Sequence, residues 1–240
     1  MLKLIKNIIM NDKTNKELII ETLQIKSTTK QIVYDNAKNA FKIIKKILQD
    51  LVEEYNDNLN NEDERILLEY RDRGMFEAEI KVAGDLLIFN MHSNIFEFDP
   101  THQIWQNSEA QENPISTYAG IISIYNFLAD SFKYHRLEDL GYLIGRIFIN
   151  KESTFFIEGR RELGFGYPAF GKNTPNYDTL REVIESSIMY ALKFDLLVPP
   201  FEKVKITSVA QMKEKINKSK IQTGKRLGFQ YTVNDSDEKD

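Results

Sequence analysis

The histidines are the first residues of this sequence that could do chemistry: His92, His102 and His135. His92 ends a predicted strand, and Asp99 and His102 follow after the next turn, so a hairpin would bring imidazole and carboxylate groups together. Zinc or iron accepts such ligands, and an imidazole can also act as a general base. The spacing matches no metal-binding motif, however. We therefore interpret all of them as loop residues that make ordinary hydrogen bonds, and we predict no metal ion, cofactor or catalytic residue.

Two carboxylates, Glu77 and Glu79, lie on one face of a predicted strand. Lys81 shares that face, and the neighbouring predicted strand adds further charges: Arg65, Glu69 and Arg71. Opposite charges on adjacent strands stabilise each other across a sheet. We therefore predict cross-strand charge pairing in water here, not acid–base catalysis.

The recognisable signatures of nucleotide-binding and hydrolytic enzymes are absent from the sequence. It contains no G-x-x-x-x-G-K-[ST] loop, no G-x-G-x-x-G turn, no G-x-S-x-G elbow and no H-E-x-x-H pair. It also contains no cysteine, which excludes disulfides, thiolate zinc sites and a thiol nucleophile. These absences leave the enzyme question open, and they are compatible with a cytoplasmic protein.

Residues 160–171, RRELGFGYPAFG, form the most unusual segment, because glycines alternate with aromatic residues directly after two arginines. Aromatic rings beside guanidinium groups can stack bases and hold phosphates. Residues 164–170 resemble the RNA-binding strand of RNA-recognition motifs, but Leu163 replaces its basic residue and Pro168 interrupts the strand. A Gly-rich loop whose rings fold onto the core is the alternative, and we favour it. The candidate partner-binding residues are Arg160, Arg161, Phe165 and Tyr167.

A basic stretch near the C-terminus is the second candidate for partner binding. Residues 213–226 carry six basic side chains and one acidic side chain, a sum of +5 in a chain whose net charge is −4. Such a stretch suits the phosphates of a nucleic acid or an acidic protein, and a solvated helix face followed by a tail is the alternative. Ile216 and Ile221 would serve as apolar anchors. The candidate residues are Lys218, Lys220, Lys225 and Arg226.

The first quarter of the chain is predicted to be helical. Thr14 with Glu17 and Thr28 with Gln31 have the spacing of capping boxes, and each pair precedes an apolar pattern of helical period. The second helix carries a wide apolar stripe, which favours packing across a sheet and leaves a homodimer through residues 30–55 open. Residues 1–12 are predicted to be an N-terminal extension without a membrane role, because lysines interrupt their short apolar run.

The middle of the chain is predicted to be an antiparallel sheet of roughly seven or eight strands. Alternation of apolar and polar residues and turn signals place strands at 65–72, 76–83, 86–92, 95–99, 103–106, 118–127, 142–150 and 154–159. Segment 86–92 is apolar on both faces, so Ile88 and Phe89 should both be largely buried. Thr174 and Pro175 open a helix that covers 177–195, and a short helix follows at about 207–217.

Three segments carry a resemblance: VAGDLLIFNMHSNIFEFD (82–99), NFLADSFKYHRLEDLGYLIGRIFIN (126–150) and SVAQMKEKINKSKIQTGKRLGF (208–229). They are similar to a conserved bacterial protein family that has no assigned function. The resemblance implies a bacterial cytoplasmic protein and transfers no functional residue.

The sequence thus predicts one α+β domain over residues 13–217, followed by a basic and then acidic tail at 218–240. The preferred function is a non-enzymatic intracellular binding or regulatory module for a protein or nucleic-acid partner. The alternative is an enzyme or small-ligand sensor with a pocket in the concave face of the sheet, near His92, Trp105 and Tyr125.

Overall fold

The computed structural model describes residues 13–59, 63–159, 172–196, 198 and 200–217. One antiparallel sheet of six strands forms its centre, and each strand pairs with its neighbours in sequence. The strands are β1 (Glu69–Asp72), β2 (Glu77–Val82), β3 (Asp85–Met91), β4 (Gly120–Leu128), β5 (Tyr142–Ile149) and β6 (Phe155–Gly159). The described helices are α1 (Asn15–Thr22), α2 (Thr28–Asn58), α3 (Ser108–Glu112), α4 (Ala129–Lys133), α5 (Tyr177–Leu192), α6 (Phe201–Val204) and α7 (Val209–Asn217). The predicted α+β class is therefore confirmed.

Only the first of the two predicted capping boxes forms. The Glu17 backbone N–H donates to Thr14 Oγ1 at 3.3 Å, and the Thr14 N–H donates to Glu17 Oε2 at 2.8 Å. The predicted box at Thr28 is wrong, because the chain passes from α1 into α2 through one π-helical turn, Leu23–Ser27. The Thr28 hydroxyl instead donates to the Leu23 carbonyl at 3.3 Å, and the Thr28 N–H also bonds to carbonyls of that turn.

The apolar stripe of α2 lies against the sheet, as predicted. Its buried residues are Thr29, Val33, Ala37, Ala40, Phe41, Ile44, Ile47, Leu48 and Leu51. The helix approaches β4 closely at Gly120, where an added Cβ would lie 2.6 Å from the Cβ of Ala37. The sheet therefore occupies the stripe, and the structure gives no support to a homodimer through residues 30–55.

The two faces of the sheet differ in composition. The face toward α2 and α5 is apolar and buried, and it is formed by Ala78, Ile80, Val82, Leu87, Phe89, Met91, Ile122, Ile124, Ile147, Ile149 and Ile157. We call the opposite side of the sheet the outer face. Phe89 is fully buried as predicted, whereas Ile88 on the outer face is only half-buried, because α2 and α5 cover the other side.

The prediction of seven or eight strands is wrong at two segments. Segment 95–99 contributes a single bridge between Phe96 and Ala119. Segment 103–106 is a 3-10 turn, because His102 Nδ1 accepts the Ile104 N–H at 3.2 Å and Trp105 Nε1 donates to the Asp99 carbonyl at 2.9 Å. These local bonds turn the chain away from the sheet, so this segment does not pair as a strand. The first predicted strand is also shorter, since residues 64–66 form a 3-10 turn before β1.

Helix α5 completes the helical layer by pairing with α2. Its N-cap is Asn176, whose Oδ1 accepts the Thr179 N–H at 2.9 Å, so the helix begins slightly later than the Thr174–Pro175 signal indicated. Tyr177 donates its hydroxyl to Asp50 Oδ2 at 2.8 Å, and Arg181 donates to Glu54 Oε2 at 2.7 Å. The extension at 1–12 and the tail at 218–240 lie outside the described residues, so the domain boundaries stay predictions.

Candidate functional site

A ladder of alternating charges occupies the β1–β2 half of the outer face. Arg71 bridges two carboxylates, Glu69 at 2.8 Å and Glu79 at 3.4 Å, while Arg73 approaches Glu79 at 2.8 Å and Lys81 bonds to Glu69. The pairing follows from the register, which sets Glu69 opposite Lys81 and Arg71 opposite Glu79. Cross-strand pairing was predicted here, but not the burial of Glu79, which is only 2% exposed.

The pairing within the ladder favours the charged forms of Glu69 and Arg73. The Lys81 ammonium, through its hydrogen bond, holds the pKa of the Glu69 carboxyl below its ordinary value. The hydrogen bond to Glu79 raises the pKa of the Arg73 guanidinium, which is protonated in any case. Arg65 was expected to take part in this charge pairing but does not. It lies in the turn before β1 and pairs with Asp63 at 2.6 Å.

Polar and aromatic side chains form the centre of the outer face. Cross-strand register places Asn90 opposite Ser123, and Ser123 opposite Arg146. Tyr125 lies in the adjacent row of the same face, opposite Ile88. All of these side chains are half-buried, so they are partly accessible to a molecule above the sheet. Hydroxyl, amide and guanidinium groups here supply hydrogen bonds in place of an apolar cover.

The segment between β3 and β4, residues 92–119, closes one end of the outer face; we call it the β3–β4 connection. Its Phe98 ring lies 5.0 Å from the ring of Phe148 on β5 and 5.7 Å from that of Phe156 on β6. The rings of Phe148 and Phe156 are themselves stacked at 4.8 Å. This cluster is therefore a small second core over β5 and β6. Over β1–β4, most of the described outer-face side chains are half-buried or exposed, although Glu79 and Leu86 are buried.

The segment between β4 and β5, together with the start of β5, presents apolar side chains to solvent. The exposed residues are Phe132, Tyr134, Leu137, Leu140 and Leu143, which we call the β4–β5 patch. Leu137 is 90% exposed, the highest value of any leucine described. Buried polar contacts hold the segment in place, since Asp139 accepts from Ser131 Oγ at 2.6 Å and pairs with Arg136 Nε at 3.0 Å. The exposed leucines are thus carried on a fixed backbone.

The patch continues into the outer face through aromatic contacts. The ring of Phe132 meets that of Phe127 edge-on at 5.3 Å, and Phe127 lies 6.4 Å from Tyr125. Leu143 of the patch is the cross-strand partner of Tyr125. The open outer face and the β4–β5 patch therefore form one surface.

The residues of the predicted ligand pocket, His92, Trp105 and Tyr125, lie in three separate segments of the chain. The amide of His92 bonds to Ile121, which lies four positions before Tyr125 on β4, so the two residues are separated by about 13 Å of strand. His92 is exposed, and its Nδ1 accepts the Asn94 N–H at 2.9 Å. Trp105 is held in the β3–β4 connection by its bond to Asp99. The role of these three residues in ligand binding stays a prediction.

The His92–Asp99–His102 arrangement offers no metal site in the described part of the chain. No group of three His, Asp or Glu side chains there is close enough to share an ion. Asp99 caps its own turn by accepting from Thr101 at 2.8 and 2.6 Å, and these bonds lower the pKa of its carboxyl. His135 is exposed in the turn after α4, at a φ of 51°.

The residues predicted to bind a partner lie outside the described residues: Arg160, Arg161, Phe165, Tyr167, Lys218, Lys220, Lys225 and Arg226. Their roles stay predictions. The β4–β5 patch, in contrast, was missed by the sequence analysis, which assigned no element between the predicted strands at 118–127 and 142–150. Two leucines three positions apart within a charged segment, Leu137 and Leu140, were the available signal.

No protein-family model, curated protein or solved structure matches this chain. These comparisons therefore add no support to the bacterial family resemblance. Within the part of the chain that the structure describes, none of the helices has both the length and the apolar character needed to cross a bilayer.

Proposed function

We propose that this chain is a non-enzymatic intracellular binding module that engages a protein partner through the outer face and the β4–β5 patch. The observation that carries the proposal is the continuity of exposed leucines with an open polar sheet face. Exposed apolar residues that form one patch mark interaction sites more often than scattered ones do. Leu137 and Leu140 would be the anchors, and the half-buried Tyr125 would lie at the centre.

The charges of the outer face favour a protein over a nucleic acid. Four basic side chains, Arg71, Arg73, Lys81 and Arg146, stand against four acidic ones, Glu69, Glu77, Glu79 and Glu158, so the sum is zero. Most of these charges already pair within the face. A polyanion needs unpaired positive charge, whereas a protein surface of mixed charge complements a balanced rim around apolar anchors. Nucleic-acid binding would depend on the predicted basic residues at 160–161 and 218–226.

The fixed backbone of the patch supports the same proposal. The buried Asp139 and its partners order the segment before a partner arrives, so less conformational entropy is lost on binding. Truncation of an apolar anchor at the centre of an interface typically costs more than about 1 kcal/mol of binding free energy. Leu137 and Leu140 contribute little to folding, because most of their surface is exposed in the free chain.

The test compares L137S/L140S with a matched control, I19S/I20S, which also changes two exposed apolar residues to serine. Each full-length protein is used for affinity purification from the native cell, with and without nuclease. We expect a partner protein to co-purify with wild type and with the control, but not with L137S/L140S. Purified partner should then bind wild type at least about tenfold more tightly than L137S/L140S, at equal melting temperature.

Two results would overturn the proposal. Retention that nuclease abolishes would identify a nucleic acid as the partner. A small molecule released from the purified chain on denaturation, detected by mass spectrometry and lost in a Tyr125→Ala variant, would support the small-ligand sensor instead.

A further inference from the structure

Strand β1 lies at one edge of the sheet, and among the described strands only β2 pairs with it. The Arg73 N–H donates to the Glu77 carbonyl at 3.1 Å, and the register continues this pairing at Arg71 opposite Glu79. Hydrogen-bonded positions alternate with non-hydrogen-bonded positions in an antiparallel pair, so every second residue directs its backbone N–H and C=O groups away from β2. We call these outward groups the β1 edge; they belong to Leu68, Tyr70 and Asp72.

Asn56, near the end of α2, occupies part of the β1 edge. Its Nδ2 donates to the Leu68 carbonyl at 2.9 Å, and the Leu68 N–H donates to its Oδ1 at 2.9 Å. One side-chain amide thus forms the pair of bonds that a residue of an added antiparallel strand would form. Beyond Tyr70, Lys45 of α2 donates to Asp72 Oδ1 at 2.6 Å. Side chains of α2 therefore contact both ends of β1.

A second copy of β1 is the strand that fits the β1 edge. Antiparallel pairing centred on Tyr70 sets Leu68 of one copy opposite Asp72 of the other, so each bonded position belongs to the edge of its own copy. The same register sets Glu69 opposite Arg71 of the other copy. These two side chains already form an ion pair at 2.8 Å within one copy. Pairing of two copies would extend it into a row of alternating charge, which favours this register.

We infer that Asn56 closes the β1 edge against strand addition, and that a second copy of this chain pairs with β1 when the amide of Asn56 is removed. While the amide is present, an incoming strand meets a Leu68 backbone that is already bonded, so it gains fewer hydrogen bonds. Edge strands with free backbone groups are sites of association between chains. The inference concerns the edge of the sheet and is independent of the outer face and the β4–β5 patch.

The test compares N56A with a matched control, N58A, by sedimentation velocity of the full-length chain over a range of concentrations. Asn58 lies two residues further along α2, and its Nδ2 donates to the Glu54 carbonyl of the same helix at 2.7 Å. N56A should self-associate at least about tenfold more tightly than wild type, because the Leu68 backbone is released. N58A should behave like wild type. N56S, which can keep one of the two bonds, should lie between N56A and wild type and remains informative when N56A fails to fold.

N56D separates an open edge from a loosened fold. Its carboxylate can still accept the Leu68 N–H but cannot donate to the Leu68 carbonyl, so this variant also loses stability. It adds a charge at the edge, however, and charged side chains oppose strand addition there. N56D should therefore sediment like wild type even though its melting temperature is lower.

Amide hydrogen exchange measured by NMR locates the contact. In a concentrated sample of N56A, exchange at the Tyr70 amide should be at least about tenfold slower than in a dilute sample, because this amide becomes bonded to the second copy. The Arg71 amide, which points toward β2, should change less. Three results would each overturn the inference: N56A and N56S that associate no more than N58A, N56D that associates as strongly as N56A, or association that leaves exchange at Tyr70 unchanged.

Discussion

The helix-side face and the outer face belong to the same six-stranded sheet but are covered differently. On the helix side, Ile and Leu residues are fully buried beneath α2 and α5. On the outer face, an ionic ladder, a polar centre and one aromatic cluster share the surface. Among the residues that the structure describes, α2 and α5 cover the first face, while the β3–β4 connection covers the second face at one end. The difference teaches that alternation along a strand reports which side is polar, but not what will cover it.

The largest expected effect on stability is at Phe89, and it should exceed the effect at Ile88, its neighbour on the opposite face of β3. Phe89→Ala should lower the free energy of unfolding by about 3–5 kcal/mol, because it leaves a cavity beneath two helices. Ile88→Ala should cost clearly less, since Ile88 is half-buried on the outer face. Urea denaturation of both variants measures the difference. Equal losses would mean that the outer face is as fully covered as the helix side.

The next largest effect on stability is expected at Glu79, the buried carboxylate of the outer face. Glu79→Gln should destabilise the protein by about 1–3 kcal/mol, because two arginines would lose the charge that they face. Water can partly compensate the half-exposed arginines, which keeps the loss below that of a fully buried pair. Glu77→Gln is the control on the same strand. A loss no larger than that of the control would show that the ladder is ordinary surface charge.

The aromatic cluster tests whether the β3–β4 connection serves as a cover. Phe98→Ala should cost about 1–2 kcal/mol, because a half-buried ring is lost from Phe148 and Phe156. It should also speed amide exchange in β6 more than in β2, which lies across the sheet. Hydrogen exchange with mass spectrometry resolves the two strands, and equal change in both would contradict the role of a local cover.

The strongly periodic elements could be predicted from sequence. The stripe of α2 and the alternation in β2 arise from burial on one side, so their residues carry the signal directly. The structure of segments 95–99 and 103–106 could not be predicted in this way. Hydrogen bonds that involve Asp99, His102 and Trp105 decide the path of the chain there, and periodicity does not.

The candidate site was harder to predict than the fold. The burial of Glu79 depends on two arginines from another strand and a turn, and strand alternation alone places it in water. The exposure of Leu137 depends on how Asp139, Ser131 and Arg136 fold the segment around it. Both are tertiary effects with no local period. Periodicity therefore located the strands, while contacts between segments decided the surface.

The pH dependence of the ladder is expected to be small. The folded-state pKa of Glu69 lies below its ordinary value of 4.5, so the pairing with Lys81 stabilises the fold above that value and is lost as pH falls through the lowered pKa. Because Glu69 is partly exposed, Glu69→Gln should cost less than about 1 kcal/mol at pH 7. Urea denaturation between pH 7 and pH 3 should show the difference from wild type shrink as the pH falls. A difference that does not change with pH would point to packing instead of charge.

The smallest effect on stability is expected where the proposed effect on binding is largest. Leu137→Ser should change the free energy of unfolding by no more than about 0.5 kcal/mol, because a side chain that is 90% exposed loses almost no burial when truncated. Asp139→Ala, two residues away, should destabilise the protein clearly, because Arg136 would lose its ion-pair partner and Ser131 its hydrogen-bond acceptor. Thermal melting of the two variants compares the exposed anchor with its buried support. A large loss from Leu137→Ser would place that leucine in the core and remove it from the proposed interface, while a silent Asp139→Ala would mean that the patch is not held in place before binding.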